Sequence, residues 1–155
     1  MSSEKTLYEK LGGEPAIDAT VELFYDMLLK DELVGPLFAK TNMKRQRRMQ
    51  KSFLNHVLGG APYDGKNMRV AHAKLNLTEE HFNRVAVTLA KAMTTLGVSQ
   101  DLVDEVIAIA ATTKDDVLGR EPKKPFSLNE QLPYVLVGAA GLAVGGALLY
   151  RYYSK

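Results

Sequence analysis

Residues 78–97 read TEEHFNRVAVTLAKAMTTLG and combine the features of one long amphipathic helix. Thr78 is a good N-cap, and Glu79 and Glu80 place negative charge in the first turn, where the helix dipole favours it. Gly97 suits the left-handed backbone that ends many helices. The apolar residues between these ends recur on one face at helical spacing and are Phe82, Val85, Leu89, Ala92 and Leu96. The sequence therefore predicts a helix that begins after Thr78 and ends before Gly97.

Two more helices are predicted on either side of this one. Pro15 suits the first turn of a helix, and the apolar residues that follow on one face are Ile17, Val21, Phe24 and Leu28. Ser99 is a predicted N-cap, with Gly119 beyond the end of its helix and inward residues Leu102, Val103, Val106, Ile109 and Ala110. Residues 58–66 are rich in glycine and also contain Pro62, so they are predicted to form a loop. No stretch alternates as a strand does, and the predicted fold class is all-α.

Composition narrows the chemistry that the chain can carry. The 155 residues are 46% hydrophobic and 25% charged, which is typical of an ordinary globular domain. The net charge of +2 gives no electrostatic footprint for nucleic acid, so no nucleic-acid partner is expected. The absence of cysteine excludes disulfides, iron–sulfur clusters and thiolate ligands to a metal. No apolar run follows the first basic residue, so no secretory signal peptide is predicted.

The C-terminal part of the chain differs in composition from the rest. Residues 1–120 are predicted to form the globular domain, and residues 121–131 begin with EPKKP, a stiff charged linker. Residues 132–150 contain no charged side chain and approach the roughly 20 residues that span a bilayer as a helix. We therefore predict a transmembrane helix over 132–150, followed by a short basic tail to residue 155. A peripheral or helix-packing role of this segment is the alternative.

Further features of the C-terminal segment bear on its place in a membrane. Tyr134 and Tyr150 lie at its two ends, as interfacial aromatic residues do. Gly141 and Gly145 form a pair of small residues through which two such helices could dimerise. Because little chain follows the segment, we expect a tail anchor with the globular domain on the cytosolic side. A mitochondrial outer membrane, a bacterial inner membrane and another organelle all fit this pattern.

Residues 44–53, KRQRRMQKSF, are predicted to form a helix with polar side chains on its inward face. At about 100° per residue, one arc of this helix carries Gln46, Met49, Gln50 and Phe53, while the basic residues lie outside it. Two amides would then point inward, where each needs a hydrogen-bond partner. The arrangement suggests a pocket with something polar to bind. The alternative is that backbone groups or ordered water satisfy both amides.

The three histidines do not form a metal site by their spacing. His56, His72 and His81 lack the i, i+4 pairing of a helical zinc site. His72 lies between the predicted loop and the helix after Thr78, where a single imidazole could face a flat apolar cofactor. A structural role of this lone histidine is the alternative.

Taken together, landmarks along the chain resemble those of the group 1 truncated haemoglobins. From about Thr6 to Gly119 they are, in order, Leu7–Gly13, Phe24-Tyr25, Leu37-Phe38, Thr41–Met43, Gln46, Gln50, Leu58–Gly60, His72 and His81-Phe82. The resemblance implies a two-over-two helical sandwich, in which haem b is the cofactor and most of the proximal helix is replaced by loop. It also implies that dioxygen, nitric oxide and carbon monoxide are small ligands.

The resemblance assigns roles to individual residues. His72 matches the proximal ligand of the haem iron, and His81 matches a position that is not a ligand. Tyr25, Gln46 and Gln50 match the distal side chains that would contact a ligand and carry any catalysis. Residues matched to the walls of the haem cavity are Phe38, Met49, Phe53, Leu54, Tyr63, Met68, Phe82 and Val85. For His56 the resemblance offers no role, and a surface or packing position is expected.

Met49 departs from the family, in which a basic residue or a histidine is common at this position. A thioether could close the sixth coordination site of the iron, although a methionine on an apolar stripe is usually part of a core. The departure also leaves the cation that meets the haem propionates open, with Arg45, Arg47 and Lys74 as candidates.

Two donors on the distal side predict slow release of dioxygen. Dioxygen acquires negative charge when it binds ferrous haem, and each charge-assisted hydrogen bond to it is worth roughly 1.5–3 kcal/mol. The resemblance adds nitric oxide dioxygenation to nitrate as the leading reaction, for which an external reductase would be needed. The alternatives are an oxygen-binding, sensing or storage globin without turnover, and a tail-anchored helical adaptor without haem.

Overall fold

The computed structural model describes residues 4–63, 65 and 67–120 of the chain, and these residues form an all-α fold. Its elements are α1 (Leu7–Leu11), α2 (Glu14–Leu28), a 3-10 turn (Gly35–Phe38), α3 (Met43–Val57), α4 (Met68–His72), α5 (Glu79–Thr95), α6 (Gln100–Thr112) and α7 (Lys114–Val117). Four of the helices are long, and three have only four or five residues. The predicted all-α fold class is confirmed, but the short helices were not predicted, because four or five residues are too few to show a helical period.

Helix α2 lies at the centre of the core and packs against both α3 and α5. The four residues predicted to face inward, Ile17, Val21, Phe24 and Leu28, are each no more than 3% exposed. Full burial of such side chains contributes roughly 1.5–3 kcal/mol each to folding. The same face of α2 also buries Tyr25, which is 2% exposed and is therefore held rigidly by its neighbours. The core helix thus fixes the position of a polar side chain.

Helix α5 begins and ends as its sequence predicts. The Thr78 hydroxyl accepts a hydrogen bond from the backbone N–H of His81, and His81 Nδ1 accepts one from the Thr78 N–H at 3.0 Å. The chain leaves the helix through Gly97, whose φ of +83° suits a residue without a Cβ. The prediction that Leu96 lies on the buried stripe is wrong, because Leu96 follows the last helical residue and is 44% exposed.

The predicted last helix is divided in two in the structure. Helix α6 follows Ser99 and buries Val103, Val106 and Ile107, of which the last was not predicted. The other predicted inward residues are half-buried, namely Leu102, Ile109 and Ala110. The separate helix α7 then packs against α4, and Arg69 of α4 forms an ion pair with Asp116 of α7 at 3.1 Å. The end of the domain therefore supports the short helix that carries His72.

The predicted linker, the predicted membrane helix over 132–150 and its Gly141 and Gly145 lie outside the described residues. Among the helices that the structure does describe, none has the length and apolarity required to cross a membrane.

Candidate functional site

Three polar side chains converge where α2 meets α3. The Tyr25 hydroxyl accepts a hydrogen bond from Gln46 Nε2 at 3.0 Å and donates one to Gln50 Oε1 at 3.5 Å. Asn42 caps α3 by accepting a hydrogen bond from the Arg45 N–H, which fixes where the helix begins. Since Gln46 and Gln50 are one turn apart on this helix, both amides reach the same phenol. The inward face predicted from the sequence is therefore present, and its amides bind a tyrosine.

Burial keeps the Tyr25 phenol protonated. Desolvation raises the pKa of Tyr25 above its ordinary value of 10.0, against smaller opposite effects of the Gln46 hydrogen bond and the Arg47 charge. The hydroxyl is thus a proton donor at neutral pH rather than an anion. The hydrogen bond that the hydroxyl donates to Gln50 is at the long limit for such bonds, so Gln50 restrains the direction of the O–H group only weakly.

Phe38 lies against the edge of this polar group. Its ring meets the Tyr25 ring edge-on, with 5.7 Å between ring centroids. Asp31 holds the turn that leads to it, because Asp31 Oδ1 accepts hydrogen bonds from the N–H groups of Leu33 and Val34. The segment before α3 is therefore anchored on both sides of the 3-10 turn.

Most of the apolar residues matched to the haem cavity are half-buried. On α3 and the loop after it, Phe53 meets Tyr63 edge-on at 5.6 Å between centroids, and Met49 is also half-buried. Phe82, Val85 and Met68 are half-buried as well. Leu54 differs, because it is 5% exposed and belongs to the hydrophobic core. A flat apolar cofactor would cover such half-buried surface.

His72 ends α4, and one of its two ring nitrogens is already bound. The distance from His72 Nδ1 to the backbone oxygen of Met68 is 2.7 Å. Because a carbonyl oxygen only accepts, Nδ1 carries the proton and Nε2 keeps its lone pair. A ring held in this tautomer by its other nitrogen is the usual state of a metal-ligating histidine. The chemistry of His72 therefore fits a residue that would hold haem iron through Nε2.

The other two histidines have structural contacts. His81 Nδ1 is used in the cap of α5. His56 Nδ1 lies 3.1 Å from the backbone oxygen of Ala61, and its ring stacks on Tyr63 at 5.8 Å. Within the described chain, no three histidine, aspartate or glutamate side chains gather so that they could hold a metal ion unaided. The Nδ1 contact of His56 resembles that of His72, so His72 is set apart by its match to the proximal position of the family and not by its free nitrogen alone.

Arg47 occupies a place that the sequence did not predict. One candidate for the haem propionates was Arg47, but its guanidinium pairs with Glu22 and Asp26 of α2 at 2.6 and 2.8 Å. The remaining candidates, Arg45 and Lys74, are exposed. Helical spacing places Arg47 outside the arc of the two amides but does not reveal its partners on another helix.

Comparison with known proteins identifies the family of this fold and site. The family model described as bacterial-like globin matches residues 6–118. A group 1 truncated haemoglobin of Tetrahymena thermophila is 40% identical over 121 residues, which are 77% of this chain and 100% of the relative. The corresponding protein of Synechocystis is 43% identical over 122 residues, covering 74% of this chain and 98% of the relative. The chain belongs to the group 1 truncated haemoglobins.

Solved structures of this family agree with the assignment. The truncated haemoglobin of Tetrahymena pyriformis in its Fe(III) form has a TM-score of 0.72 and 42% identity, covering 74% of this chain and 98% of its own. The cyanomet 2/2 haemoglobin of Synechococcus, which has covalently attached haem, has a TM-score of 0.72 and 41% identity, covering 75% and 100%. As a truncated haemoglobin, the chain has the two-over-two globin fold, binds haem iron and takes small gaseous ligands.

Proposed function

We propose that this globin retains dioxygen with Tyr25, Gln46 and Gln50 and supports the dioxygenation of nitric oxide to nitrate at a membrane surface. The observation that carries the proposal is the contact of one buried phenol with two amides, at 3.0 and 3.5 Å. When bound, haem iron would supply the site at which dioxygen binds and would give that ligand partial negative charge. The chain's own part is to hold that ligand and to exclude water.

The hydrogen bonds among these three side chains leave the Tyr25 hydroxyl able to donate to a bound ligand. Gln46 donates to the Tyr25 oxygen, which orients the phenol and leaves its own proton free to point elsewhere. The bond from that proton to Gln50 is long, so exchanging it for a bond to an anionic ligand costs little. Gln50 can then turn its amide N–H toward the same ligand. Slow release follows, because each charge-assisted bond must break before the ligand leaves.

On the proximal side we propose that His72 ligates the iron through Nε2. The Met68 carbonyl holds the opposite nitrogen at 2.7 Å, which fixes the ring direction and increases the basicity of the ligating nitrogen. Met68, Phe82, Val85, Phe53, Met49, Tyr63 and Phe38 would line the cavity. Ligation of the iron by Met49 is the alternative. It is less favoured because Met49 is half-buried on the apolar side of α3, where a methionine usually serves packing.

Turnover requires an electron that the described domain does not supply. Dioxygen and nitric oxide together contain all atoms of nitrate, and forming the nitrate anion from them needs one electron, which bound ferrous haem would supply. An external reductase must restore that electron. The anchor predicted over 132–150 would place the globin beside such a membrane-associated donor, with its domain on the cytosolic side, and Gly141 and Gly145 could pair two copies.

A test of retention measures dioxygen release by displacement with carbon monoxide in stopped flow. We expect Tyr25→Phe, Gln46→Leu and Gln50→Leu each to speed release about five-fold to a hundred-fold, the effect of losing one donor of roughly 1–3 kcal/mol. The Tyr25 and Gln46 changes should be less than additive, because the groups share one network. Rates within about two-fold of wild type for all three would contradict the proposal.

A second measurement separates turnover from storage. When the oxygenated protein is mixed with one equivalent of nitric oxide, stoichiometric nitrate and ferric protein are expected. Repeated cycles should occur only with an added reductase. An oxygenated protein that yields no nitrate would leave the storage or sensing function, which the slow release alone also supports.

A further inference from the structure

Arg47 joins the two helices that carry the distal side chains. Its guanidinium reaches from α3 to three acceptors of α2: the Glu22 carboxylate at 2.6 Å, the Asp26 carboxylate at 2.8 Å and the Glu22 backbone oxygen at 2.9 Å. A planar guanidinium can satisfy several acceptors in a fixed geometry, which an ammonium cannot. The register of α3 on α2 is therefore restrained at this point.

The same guanidinium covers the distal tyrosine. Its central carbon lies 5.6 Å from the centroid of the Tyr25 ring, within the range of a cation–π contact. The Arg47 side chain is only 17% exposed, whereas Glu22 and Asp26 are 51% and 59% exposed. Arg47 thus packs against the Tyr25 ring, and its two acidic partners bind the guanidinium from the solvent side.

We propose that Arg47 is a positioning residue for ligand retention. It joins α3 to α2 and covers the Tyr25 ring. Both contacts fix the direction in which the Tyr25 hydroxyl donates its hydrogen bond. Phe38 meets the same ring at 5.7 Å, so the phenol is held between an aromatic edge and a cation. Gln46 precedes Arg47 in the chain, and its 3.0 Å bond to Tyr25 depends on the same register. This inference rests on the proposed role of Tyr25.

Lys51 provides a matched control one turn further along α3. Its ammonium also joins α3 to α2, through Glu22 at 2.9 Å and Asp18 at 3.4 Å. Among the described cation–ring contacts, the one that involves Tyr25 is made by Arg47. Lys51→Met therefore removes two ion pairs between the same helices and leaves the contact of Arg47 with the Tyr25 ring in place.

The test compares Arg47→Met with Lys51→Met in the haem-loaded full chain, by dioxygen release and by the infrared C–O stretch of the carbon monoxide complex. The stretch reports the field of the distal donors whether or not any reaction occurs. Arg47→Met should speed release about five-fold and shift the stretch toward that of Tyr25→Phe, while Lys51→Met leaves both near wild type. Arg47→Lys should recover only part of the wild-type release rate and of the wild-type C–O stretch. If Arg47→Met does not fold, the milder Asp26→Asn should shift the release rate and the stretch in the same direction.

A double-mutant cycle separates this inference from the proposed function. In a Tyr25→Phe background, Arg47→Met should change release much less than it does in the wild-type background, because Arg47 acts chiefly through the phenol. Equal effects of Arg47→Met and Lys51→Met, or full additivity with Tyr25→Phe, would overturn the positioning role alone. If Tyr25→Phe by itself leaves release unchanged, this inference fails, whereas the retention proposal fails only if Gln46→Leu and Gln50→Leu leave release unchanged as well.

Discussion

A single carbonyl decides which nitrogen of His72 can meet a metal. The Met68 oxygen lies one helical turn before His72 and accepts a hydrogen bond from Nδ1–H at 2.7 Å, so the tautomer that leaves Nε2 open to a metal is set within the protein. Helix α4 has only five residues, and this bond lies between its first and last residue. Ring orientation is therefore a property of the short helix itself.

Replacing His72 tests this arrangement directly. We expect His72→Ala to lose stable haem, or to require added imidazole, because His72 alone of the three histidines matches the proximal position and ends the short helix α4. His81→Ala should keep haem and lose only about 1 kcal/mol of stability with the α5 cap. His56→Ala should keep haem as well. The measurement is the Soret absorbance per protein after haem titration and desalting, and equal occupancy of His72→Ala and wild type would refute the assignment.

Sequence predicted the residues of the site better than their mutual contacts. Helical spacing placed Gln46 and Gln50 on one inward face, and both amides are directed at Tyr25. The grouping of these with His72, however, came from the family resemblance, because spacing has no information on which helix lies opposite. The contacts of Arg47 could not be predicted from spacing, because its partners Asp26 and Glu22 are 21 and 25 residues away in the chain.

At the scale of elements, length decided what could be predicted. Helix α5 extends over 17 residues and has both a cap and a periodic apolar face, so its beginning and end were predicted correctly. Helices α1, α4 and α7 have four or five residues, which is too short for a helical period to appear. Tertiary contacts hold these short helices, as the ion pair between Arg69 and Asp116 does for α4 and α7.

Asp31 is the connection between α2 and the turn that carries Phe38. Partial burial disfavours its charged form, but hydrogen bonds from the Val34 and Leu33 N–H groups and from Arg84 outweigh this, and the pKa of Asp31 lies below its ordinary value of 3.8. A carboxyl with a lowered folded pKa stabilises the fold above its unfolded pKa and loses that effect as the pH falls through the folded one.

Two substitutions separate the two roles of Asp31. Asp31→Asn keeps an acceptor for the turn and loses the charge opposite Arg84, for about 1 kcal/mol or less at neutral pH because Arg84 is half exposed. Asp31→Ala also loses the turn bonds and should cost roughly 1–2 kcal/mol more. Urea unfolding of the haem-loaded variants from pH 7 to pH 3 measures this. The difference between wild type and Asp31→Asn should be constant above about pH 5 and shrink below about pH 4; an unchanged difference would contradict the charged role.

At the scale of the whole molecule, the domain closes on itself at its C-terminal end. Arg120 forms an ion pair with Glu79 at 2.7 Å, and Lys114 reaches the same carboxylate at 3.1 Å. Lys114 also lies over the ring of Phe82, 5.8 Å from its centroid. These contacts join α7 and the last described residues to the beginning of α5, beside the residues matched to the haem cavity. A chain that ends just after Arg120 therefore keeps these described contacts to α4 and α5.

Truncation before Phe126 should separate the globin from its predicted anchor without altering the haem site. The relatives from Tetrahymena thermophila and Synechocystis match this chain over 98–100% of their own length, which supports an independently folding domain. We expect the shortened protein to stay in the supernatant of a membrane fractionation, whereas the full chain sediments. The ferric, ferrous and carbon monoxide spectra of the shortened protein should be identical to those of the full chain.

A cut after Thr112 provides the contrast, because it removes α7 together with the partners of Arg69 and Glu79. Haem transfer from this shorter protein to excess apomyoglobin should therefore become faster. If the protein cut before Phe126 still sedimented with membranes, the anchor would lie within residues 1–125; if the cut after Thr112 kept haem as well as wild type, α7 would not support the proximal helix.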